Sequence, residues 1–275
     1  MKRTMTIDGA TVFMEGNGPR TIVMLHGWPD TAALWRRQIA FFGRDYLCVS
    51  FTLPGFSRED RTDYSVDDVV ARIGNVVDAV SPDDKVILLA HDWGCVFGYE
   101  YAMRHSDRIE KMIGLDVGDA DSQELRDSLS LAGKLMVFGY QIVLAVGFFC
   151  PRSLGDAIAR LMAKALKAGS IRENIHAGMS MPYAMRWFGV NGGLTNLLPV
   201  EPTFPFYYGY ATRKPVMFHS PAWLQTLSEN PANRLQAFDC GHWLMIEEAE
   251  AFNTSAAEWL HESGGSPQRA NGAKV

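Results

Sequence analysis

Basic charge is scarce in this 275-residue chain. Its 26 lysines and arginines stand against 31 aspartates and glutamates, which leaves a net charge of -5 at pH 7. Proteins that bind nucleic acid, or an anionic membrane through their overall charge, carry a basic excess or a polybasic segment, and this chain has neither. We therefore expect no nucleic-acid partner, and the net charge disfavours attraction to an anionic membrane.

Cysteine is also rare. The chain has four, Cys48, Cys95, Cys150 and Cys240, and no two of them have the spacing of a metal-binding or redox pair. Free thiols in a reducing compartment are predicted. The first ten residues, "MKRTMTIDGA", contain no apolar stretch, so no secretory signal is predicted and a cytoplasmic location is expected. No metal or other cofactor is expected.

Long apolar runs are missing with one exception, "LMVFGYQIVLAVGFFC" at residues 135–150. A helix that crosses a bilayer needs about 20 apolar residues. This run is shorter, and Gln141 and two glycines interrupt it. We predict a buried or cavity-lining helix and no membrane anchor.

Short apolar runs alternate with helical patterns over the first part of the chain. Residues 65–80 begin at a capping serine and carry apolar residues at helical spacing, and "KVILLA" that follows is a continuous apolar run. Such runs are typical of parallel strands covered on both faces. Strands are predicted at residues 3–8, 10–15, 21–26, 46–52, 85–90, 110–116, 214–220 and 234–239. The pattern predicts an α/β fold with a mostly parallel sheet and crossover helices.

The alternation stops after Asp119 and resumes with "KPVMFHS" after Arg213. Residues 120–213 are therefore predicted to be a helical insertion, between a first core part at 1–119 and a second at 214–262. The small and polar residues 263–275 are predicted to form a flexible tail. Within the insertion, one helix is predicted to be apolar on the face formed by Ile158, Leu161, Met162, Ala165 and Leu166.

An acidic residue stands at the end of an apolar run in "LLAHDWGCVF". Ala90 and Gly94 lie two positions on either side of Asp92, and small residues at these positions permit a sharp strand-to-helix turn. A turn of this kind holds the residue at its tip in a strained, exposed conformation. We predict that Asp92 is a nucleophile.

Four short motifs, "HGWP", "LPGFS", "HDWG" and "CGHW", occur in this order along the chain. Together they resemble the α/β-hydrolase fold, and within it the branch with an aspartate nucleophile, the epoxide hydrolases and haloalkane dehalogenases. The resemblance covers residues 4–260. It implies a mostly parallel eight-stranded sheet, flanking helices and an inserted helical cap. It also implies a cis bond before Pro29 and an oxyanion hole formed by the backbone N–H groups of Trp28 and Trp93.

The nucleophile type narrows the chemistry. A carboxylate is ionised at pH 7 and is suited to displacement at a saturated carbon, which leaves an ester on the enzyme. A base is needed afterwards to activate the water that cleaves this ester, and His242 of "CGHW" fits that role.

A histidine base needs an acid that orients it. One family position for this acid, after the strand predicted at 214–220, reads "SPAWLQ" and offers no carboxylate. The other family position, after the strand that follows the elbow helix, holds Asp116, 24 residues beyond Asp92. We predict Asp116 as the acid, with Asp119 in reserve.

The two branches differ in how they treat the leaving group. Epoxide hydrolases use cap tyrosines that donate to the epoxide oxygen, and the resemblance places Tyr140 and Tyr183 in this role. Tyrosines at positions 207, 208 and 210 remain rivals. Dehalogenases often have Asn where this chain has Trp28. The position of Asp116 in this chain, however, matches one dehalogenase subclass. Hydrolysis of a lipophilic epoxide to a vicinal diol is predicted, with haloalkane dehalogenation as the alternative.

The apolar insertion favours a small hydrophobic substrate, and Met179 and Phe138 are predicted to contact it. A third possibility is a binding protein that has lost the chemistry, which the missing acid in "HSPAW" would fit. A homodimer through the insertion also stays open.

Overall fold

The computed structural model describes residues 2–120 and 122–262, so the tail predicted at 263–275 lies outside the described residues. Its strands are β1 (Lys2–Ile7), β2 (Ala10–Glu15), β3 (Arg20–Leu25), β4 (Tyr46–Phe51), β5 (Val86–His91), β6 (Ile109–Leu115), β7 (Phe206–Ala211) and β8 (Arg234–Phe238). Its helices are α1 (Arg36–Phe42), α2 (Val66–Val80), α3 (Trp93–Arg104), α4 (Gln123–Ser128), α5 (Leu131–Phe149), α6 (Arg152–Ala165), α7 (Met181–Phe188), α8 (Pro221–Ser228), α9 (Leu244–Glu247) and α10 (Ala249–His261).

The eight strands form one sheet in the order β1-β2-β4-β3-β5-β6-β7-β8. Strands β1 and β2 pair antiparallel at one edge, and all pairs from β4 to β8 are parallel. The predicted mostly parallel eight-stranded sheet is confirmed. Because the carboxyl ends of parallel strands meet at one edge of the sheet, the loops after β3, β5, β6, β7 and β8 come together.

Two apolar clusters cover the two faces of the sheet. In β3, Val23 and Leu25 belong to one cluster, whereas Ile22 and Met24 belong to the other. All six residues of β5 are buried, as its continuous apolar pattern predicted. The predicted capping serine of α2 is present, with the Ser65 side chain accepting from the Asp68 backbone, and the Asp68 side chain completes a capping box. All four cysteines are free, as predicted.

Helices α4 to α7 lie between β6 and β7, and we call residues 122–205 the cap. The core sheet resumes with β7 at Phe206. The prediction of a strand at 214–220 was therefore wrong. That segment instead follows β7 as a loop, tied to the sheet by a single bridge between Val117 and Phe218. Strand β7, the aromatic segment "FYYGYA", pairs with both β6 and β8 and occupies the position in the sheet that was predicted for residues 214–220.

Helix α5 was predicted to be buried or cavity-lining; it is largely exposed, but its Tyr140 and Gln141 line a cavity, so the second possibility holds. It is long and apolar enough, by length and composition, to cross a membrane, yet only 28% of its most apolar 18-residue window is buried. Its Leu131 side chain is 74% exposed. The apolar face predicted for α6 is also wrong in part, because Leu161 is 70% exposed, while the small residues Ala159 and Ala163 form the buried side.

Candidate active site

Asp92 lies on a sharp turn between β5 and α3. Its backbone has φ 54° and ψ -125°, a strained conformation for a residue with a side chain. The turn brings the start of α3 against the end of β3, so closely that a Cβ atom at Gly94 would lie 2.3 Å from the Leu25 carbonyl oxygen. The predicted elbow is therefore present, and the small residue at position 94 is required by this contact.

Two backbone N–H groups face the Asp92 carboxylate. The Trp28 N–H donates to Asp92 Oδ1 at 2.6 Å, and the Trp93 backbone also hydrogen-bonds this carboxylate and favours its charged form. The peptide bond between Trp28 and Pro29 is cis, as the resemblance implied. Negative charge on an Asp92 oxygen therefore meets N–H donors that are already in place.

His242, in the loop after β8, lies between two carboxylates. Its Nε2 atom is 3.5 Å from Asp92 Oδ2, and its Nδ1 atom hydrogen-bonds Asp116 Oδ2. The reserve acid Asp119 does not reach the histidine. It accepts hydrogen bonds from the backbone and hydroxyl of Ser220, at 2.7 Å and 2.6 Å. The structure thus joins Asp92, His242 and Asp116 in one constellation.

The charges of this constellation support one another. Burial disfavours the charged imidazolium of His242, but the hydrogen bond and charge of Asp116, together with Asp92, outweigh this and raise its pKa to about 9. Burial likewise opposes the charge of Asp92, yet His242 keeps the pKa of this carboxyl below its usual value. The nucleophile is thereby ionised at neutral pH, opposite a protonated histidine.

Lys214 is a member of the site that the sequence patterns did not indicate. Its Nζ atom donates to Asp116 Oδ1 at 2.6 Å, and the Ala211 backbone N–H donates to the same oxygen at 2.8 Å. Both side chains of this ion pair are buried. Burial opposes the charge of Asp116, but Lys214 and His242 hold the pKa of this carboxyl below its usual value. Correct placement of β7 would have put Lys214 just after that strand, beside the triad.

A small pocket of about 40 Å³ opens at the nucleophile, under the cap. Its lining combines the elbow, the loops after β6 and β7, and helices α5 and α7. The lining residues are Asp92, Trp93, Val96, Val117, Ala120, Tyr140, Gln141, Tyr183, Arg186 and Phe218. The predicted residues Tyr140 and Tyr183 therefore share one cavity with Asp92.

The two tyrosines are held by specific contacts. The Tyr183 ring packs edge-on against Trp93, with centroids 5.1 Å apart. The Tyr140 hydroxyl accepts from Gln141 Nε2 at 3.1 Å. Burial raises the pKa of Tyr140 to about 12 and that of Tyr183 well above its usual value. Both phenols consequently stay protonated and can donate into the pocket.

Other predicted contacts lie elsewhere. The rival tyrosines belong to β7 and do not line the pocket. Tyr208 instead hydrogen-bonds His219 at 2.9 Å, and the hydroxyl of Tyr207 bonds that of Ser255. Phe138 is 44% exposed on the outside of the cap, so its predicted substrate contact is wrong. Met179 is buried in the core and is not part of the pocket wall.

Within the described ranges 2–120 and 122–262, no group of three or more histidine, cysteine, aspartate or glutamate side chains is arranged to hold a metal ion.

Comparison with known proteins agrees with this geometry. The sequence model of one family, described as alpha/beta hydrolase fold, matches residues 20–249. Epoxide hydrolase 1 of Caenorhabditis elegans is 29% identical over 96 residues, which is 34% of this chain and 24% of that protein. The haloalkane dehalogenase of Sphingobium indicum is 27% identical over 187 residues, 63% of this chain and 62% of that protein.

Solved structures agree in fold. A mutant epoxide hydrolase from Bacillus megaterium in complex with its product has a TM-score of 0.73 and 19% identity, covering 94% of this chain and 100% of that one.

Proposed function

Because the chain belongs to the alpha/beta hydrolase fold family, we propose that it is an epoxide hydrolase, which opens a hydrophobic epoxide to a vicinal diol through an ester on Asp92. The observation that carries this proposal is the position of two protonated phenols, Tyr140 and Tyr183, in the same pocket as an ionised Asp92. An alkoxide is a poor leaving group, and a pair of acidic O–H donors is what ring opening requires.

In the first step an Asp92 carboxylate oxygen attacks one carbon of the epoxide. A new C–O ester bond forms as the bond from that carbon to the ring oxygen breaks. The electron pair remains on the ring oxygen, which takes a proton from the phenol of Tyr140 or Tyr183. The phenolate left behind is protonated by the His242 imidazolium, whose pKa falls once Asp92 carries an ester. The product of this step is a hydroxyalkyl ester of Asp92.

In the second step water cleaves the ester. Asp92 has lost its charge, so one of the interactions that raises the pKa of His242 is gone and the ring can act as a base. His242 takes a proton from water, and the resulting hydroxide attacks the ester carbonyl. The N–H groups of Trp28 and Trp93 are placed to stabilise the oxyanion. Collapse breaks the bond between the carboxyl carbon and the alkyl oxygen, and this oxygen takes the proton of the new Asp92 carboxyl group. The diol is released, Asp92 is a carboxylate again, and His242 keeps the proton that it took from water.

Haloalkane dehalogenation is the second candidate. It is favoured by the position of Asp116 directly after β6 and by the dehalogenase relative, which aligns over 63% of this chain. A halide would need the indole N–H of Trp93 as a donor, whereas an epoxide oxygen would need O–H donors such as the phenols of Tyr140 and Tyr183 in the same pocket. These two phenols support the epoxide reading over the halide reading.

The test is intact-protein mass spectrometry of the His242→Gln variant, incubated with a panel of aliphatic and aromatic epoxides and of haloalkanes. Without the base, the ester on Asp92 should accumulate. We expect an adduct with the full mass of the epoxide, absent when Asp92→Asn is added. An alkyl adduct with halide release would favour dehalogenation instead. No adduct across the panel would contradict both reactions and favour a binding protein.

A further inference from the structure

Exposed apolar side chains are concentrated on the cap. Within residues 2–120 and 122–262, every large hydrophobic side chain classed as exposed lies between positions 131 and 198. We define the outer cap face by those on α5, α6 and α7: Leu131, Leu135, Met136, Phe138, Val143, Val146, Phe149, Leu154, Leu161, Trp187 and Phe188. Scattered exposed apolar residues are normal on a protein surface, but a contiguous set marks an interaction site.

The outer cap face is continuous across helices. On α5 its members follow helical spacing, from Leu131 and Leu135 through Phe138 to Val146 and Phe149. A helix that is apolar on nearly every side is normally buried, whereas these side chains of α5 are exposed.

Helix α7 extends the stripe sideways. The Trp187 ring packs against Phe138 with centroids 5.0 Å apart, and the Phe188 ring packs against Phe149 at 5.4 Å. The aromatic side chains therefore form one surface.

Basic residues outnumber acidic ones on the two long helices of this face. Residues 128–170 contain five basic residues, Lys134, Arg152, Arg160, Lys164 and Lys167, and a single acid, Asp156. Asp156 is buried and forms an ion pair with Arg58 at 2.8 Å, so it contributes little negative charge to the surface. This segment is thus positive in a chain whose net charge is -5. Lys134 on α5, with Arg152 and Lys164 on α6, is exposed beside the apolar stripe.

We propose that the outer cap face binds the surface of an anionic phospholipid bilayer. Apolar side chains of α5, α6 and α7 enter the boundary between headgroups and acyl chains, as in helices that lie in the plane of a membrane. The basic side chains at the rim reach the lipid phosphates, each with an electrostatic attraction that salt weakens.

A second copy of this chain fits the same face less well. A two-fold contact places identical patches opposite each other. The cations of one copy, Lys134, Arg152 and Lys164, would then face the same cations of the other copy. The acid nearest to them in sequence, Asp156, is buried and would offset little of this repulsion. An anionic lipid surface satisfies both the apolar stripe and the basic rim.

The position of the outer cap face affects how substrate reaches the pocket, an inference that rests on the proposed function. Helix α5 carries the outer cap face on one side and places Tyr140 and Gln141 in the pocket wall on the other. A hydrophobic substrate dissolved in the bilayer would then be concentrated within one helix diameter of the pocket.

Vesicle co-sedimentation of the full chain tests the proposal without any substrate. We expect binding to vesicles of phosphatidylcholine mixed with phosphatidylglycerol, weaker binding to phosphatidylcholine alone, and release at high salt. The double variant Phe138→Glu, Val146→Glu should reduce partitioning roughly tenfold or more, because two apolar side chains no longer enter the lipid. The matched control Ala222→Glu, Gln225→Glu adds the same charge on exposed positions of α8 and should bind as the unchanged protein does.

Two outcomes would overturn the proposal. One is equal sedimentation with and without mixed vesicles. The other is a dimer in light scattering that the Phe138→Glu, Val146→Glu variant dissociates, with no vesicle binding, which would assign the face to a second copy. Neither outcome bears on epoxide opening, which the adduct experiment tests separately.

Discussion

At the scale of single residues, the charge of Asp92 controls the state of its neighbour. While Asp92 is ionised, it and Asp116 raise the pKa of His242 to about 9, against the effect of burial, and the ring is held as a cation. Ester formation removes one of these two negative charges. The same histidine thus changes from a charge partner of the nucleophile into the base of the next step, with no movement required of the backbone.

Replacement Asp116→Asn should slow hydrolysis of the ester much more than its formation. The variant loses the charge that supports a protonated His242, while the Asp92 carboxylate and its N–H donors remain. We expect the steady-state rate to fall by about 10²- to 10⁴-fold, the range typical of lost general-base function. Rapid-quench kinetics would show rapid initial formation of the ester on Asp92, followed by slow release of the product.

Asp119→Asn is the matched control for this experiment. Asp119 is also buried and follows the same strand, but it bonds Ser220 and not the histidine. It should alter stability and leave the ratio of the two steps unchanged. If Asp119→Asn slowed ester hydrolysis as strongly as Asp116→Asn, the assignment of the acid would be wrong.

The residues of the site differed in how well the sequence predicted them. Asp92 and His242 were predictable because each stands in a motif whose local conformation follows from its own neighbours. Asp116 was predicted from the family resemblance, which places an acid after the strand that follows the elbow helix. Lys214 was missed because its role depends on where β7 ends, and Phe138 was misassigned because apolar residues at helical spacing do not reveal which side of a helix is covered.

At the scale of elements, strand β7 shows the limit of pattern reading. Two neighbouring segments, "FYYGYA" and "KPVMFHS", are both apolar and both long enough for a strand, and periodicity alone does not separate them. The choice is made by pairing, since the first segment lies between β6 and β8 over its full length. The other seven strands were predicted correctly because each was the only apolar run between two turns or helices.

The junction of β3 with α3 gives the second prediction. Gly94→Ala should destabilise the protein by at least about 1 to 3 kcal/mol and impair nucleophile placement, because the added Cβ would lie 2.3 Å from a backbone oxygen. Thermal unfolding and the rate of adduct formation in the His242→Gln background would measure the two effects.

Gly139→Ala provides the contrast. This glycine lies in the interior of α5 with no atom within 4 Å of an added Cβ. Alanine there should raise stability by about 0.5 to 1 kcal/mol through helix propensity and leave adduct formation unchanged. Equal losses in both variants would show that the tight elbow is not what makes Gly94 necessary.

At the scale of the whole molecule, the cap is fastened to the core by buried polar contacts. Asp30, next to the cis proline, accepts from the Ser170 hydroxyl of the cap and from Trp243 Nε1 of the core at 2.9 Å. Burial raises the pKa of Asp30 to about 6, although both donors favour its charged form. Folding therefore becomes less favourable as pH rises from about 4 to about 6, and the hydrogen bonds offset part of that cost.

Ser170→Ala should weaken this fastening in a pH-dependent way. The Ser170 bond stabilises the ionised carboxyl, so its contribution is present above the pKa of Asp30 and is lost as pH falls through about 6. We expect a loss of about 1 to 3 kcal/mol near pH 8 and a smaller loss near pH 5, measured by chemical unfolding at both values.

Ser128→Ala is suited as the control for Ser170→Ala. Ser128 is another cap serine, but its hydroxyl donates to Leu125 within its own helix and does not reach the core. Its effect should not vary with pH over this range. A Ser170→Ala effect that was likewise independent of pH would contradict the link to Asp30.

Asp116 has a mechanical role that follows from its backbone and side-chain bonds. Its N–H donates to the Gly209 carbonyl, and its Oδ1 accepts from the Ala211 N–H. These two hydrogen bonds fix Asp116, which directly follows β6, to strand β7. The cap is inserted in the chain between these two strands. The Asp116 carboxylate is thus positioned by the sheet and not by the cap, so we expect insertions of different length between β6 and β7 to leave the triad geometry unchanged.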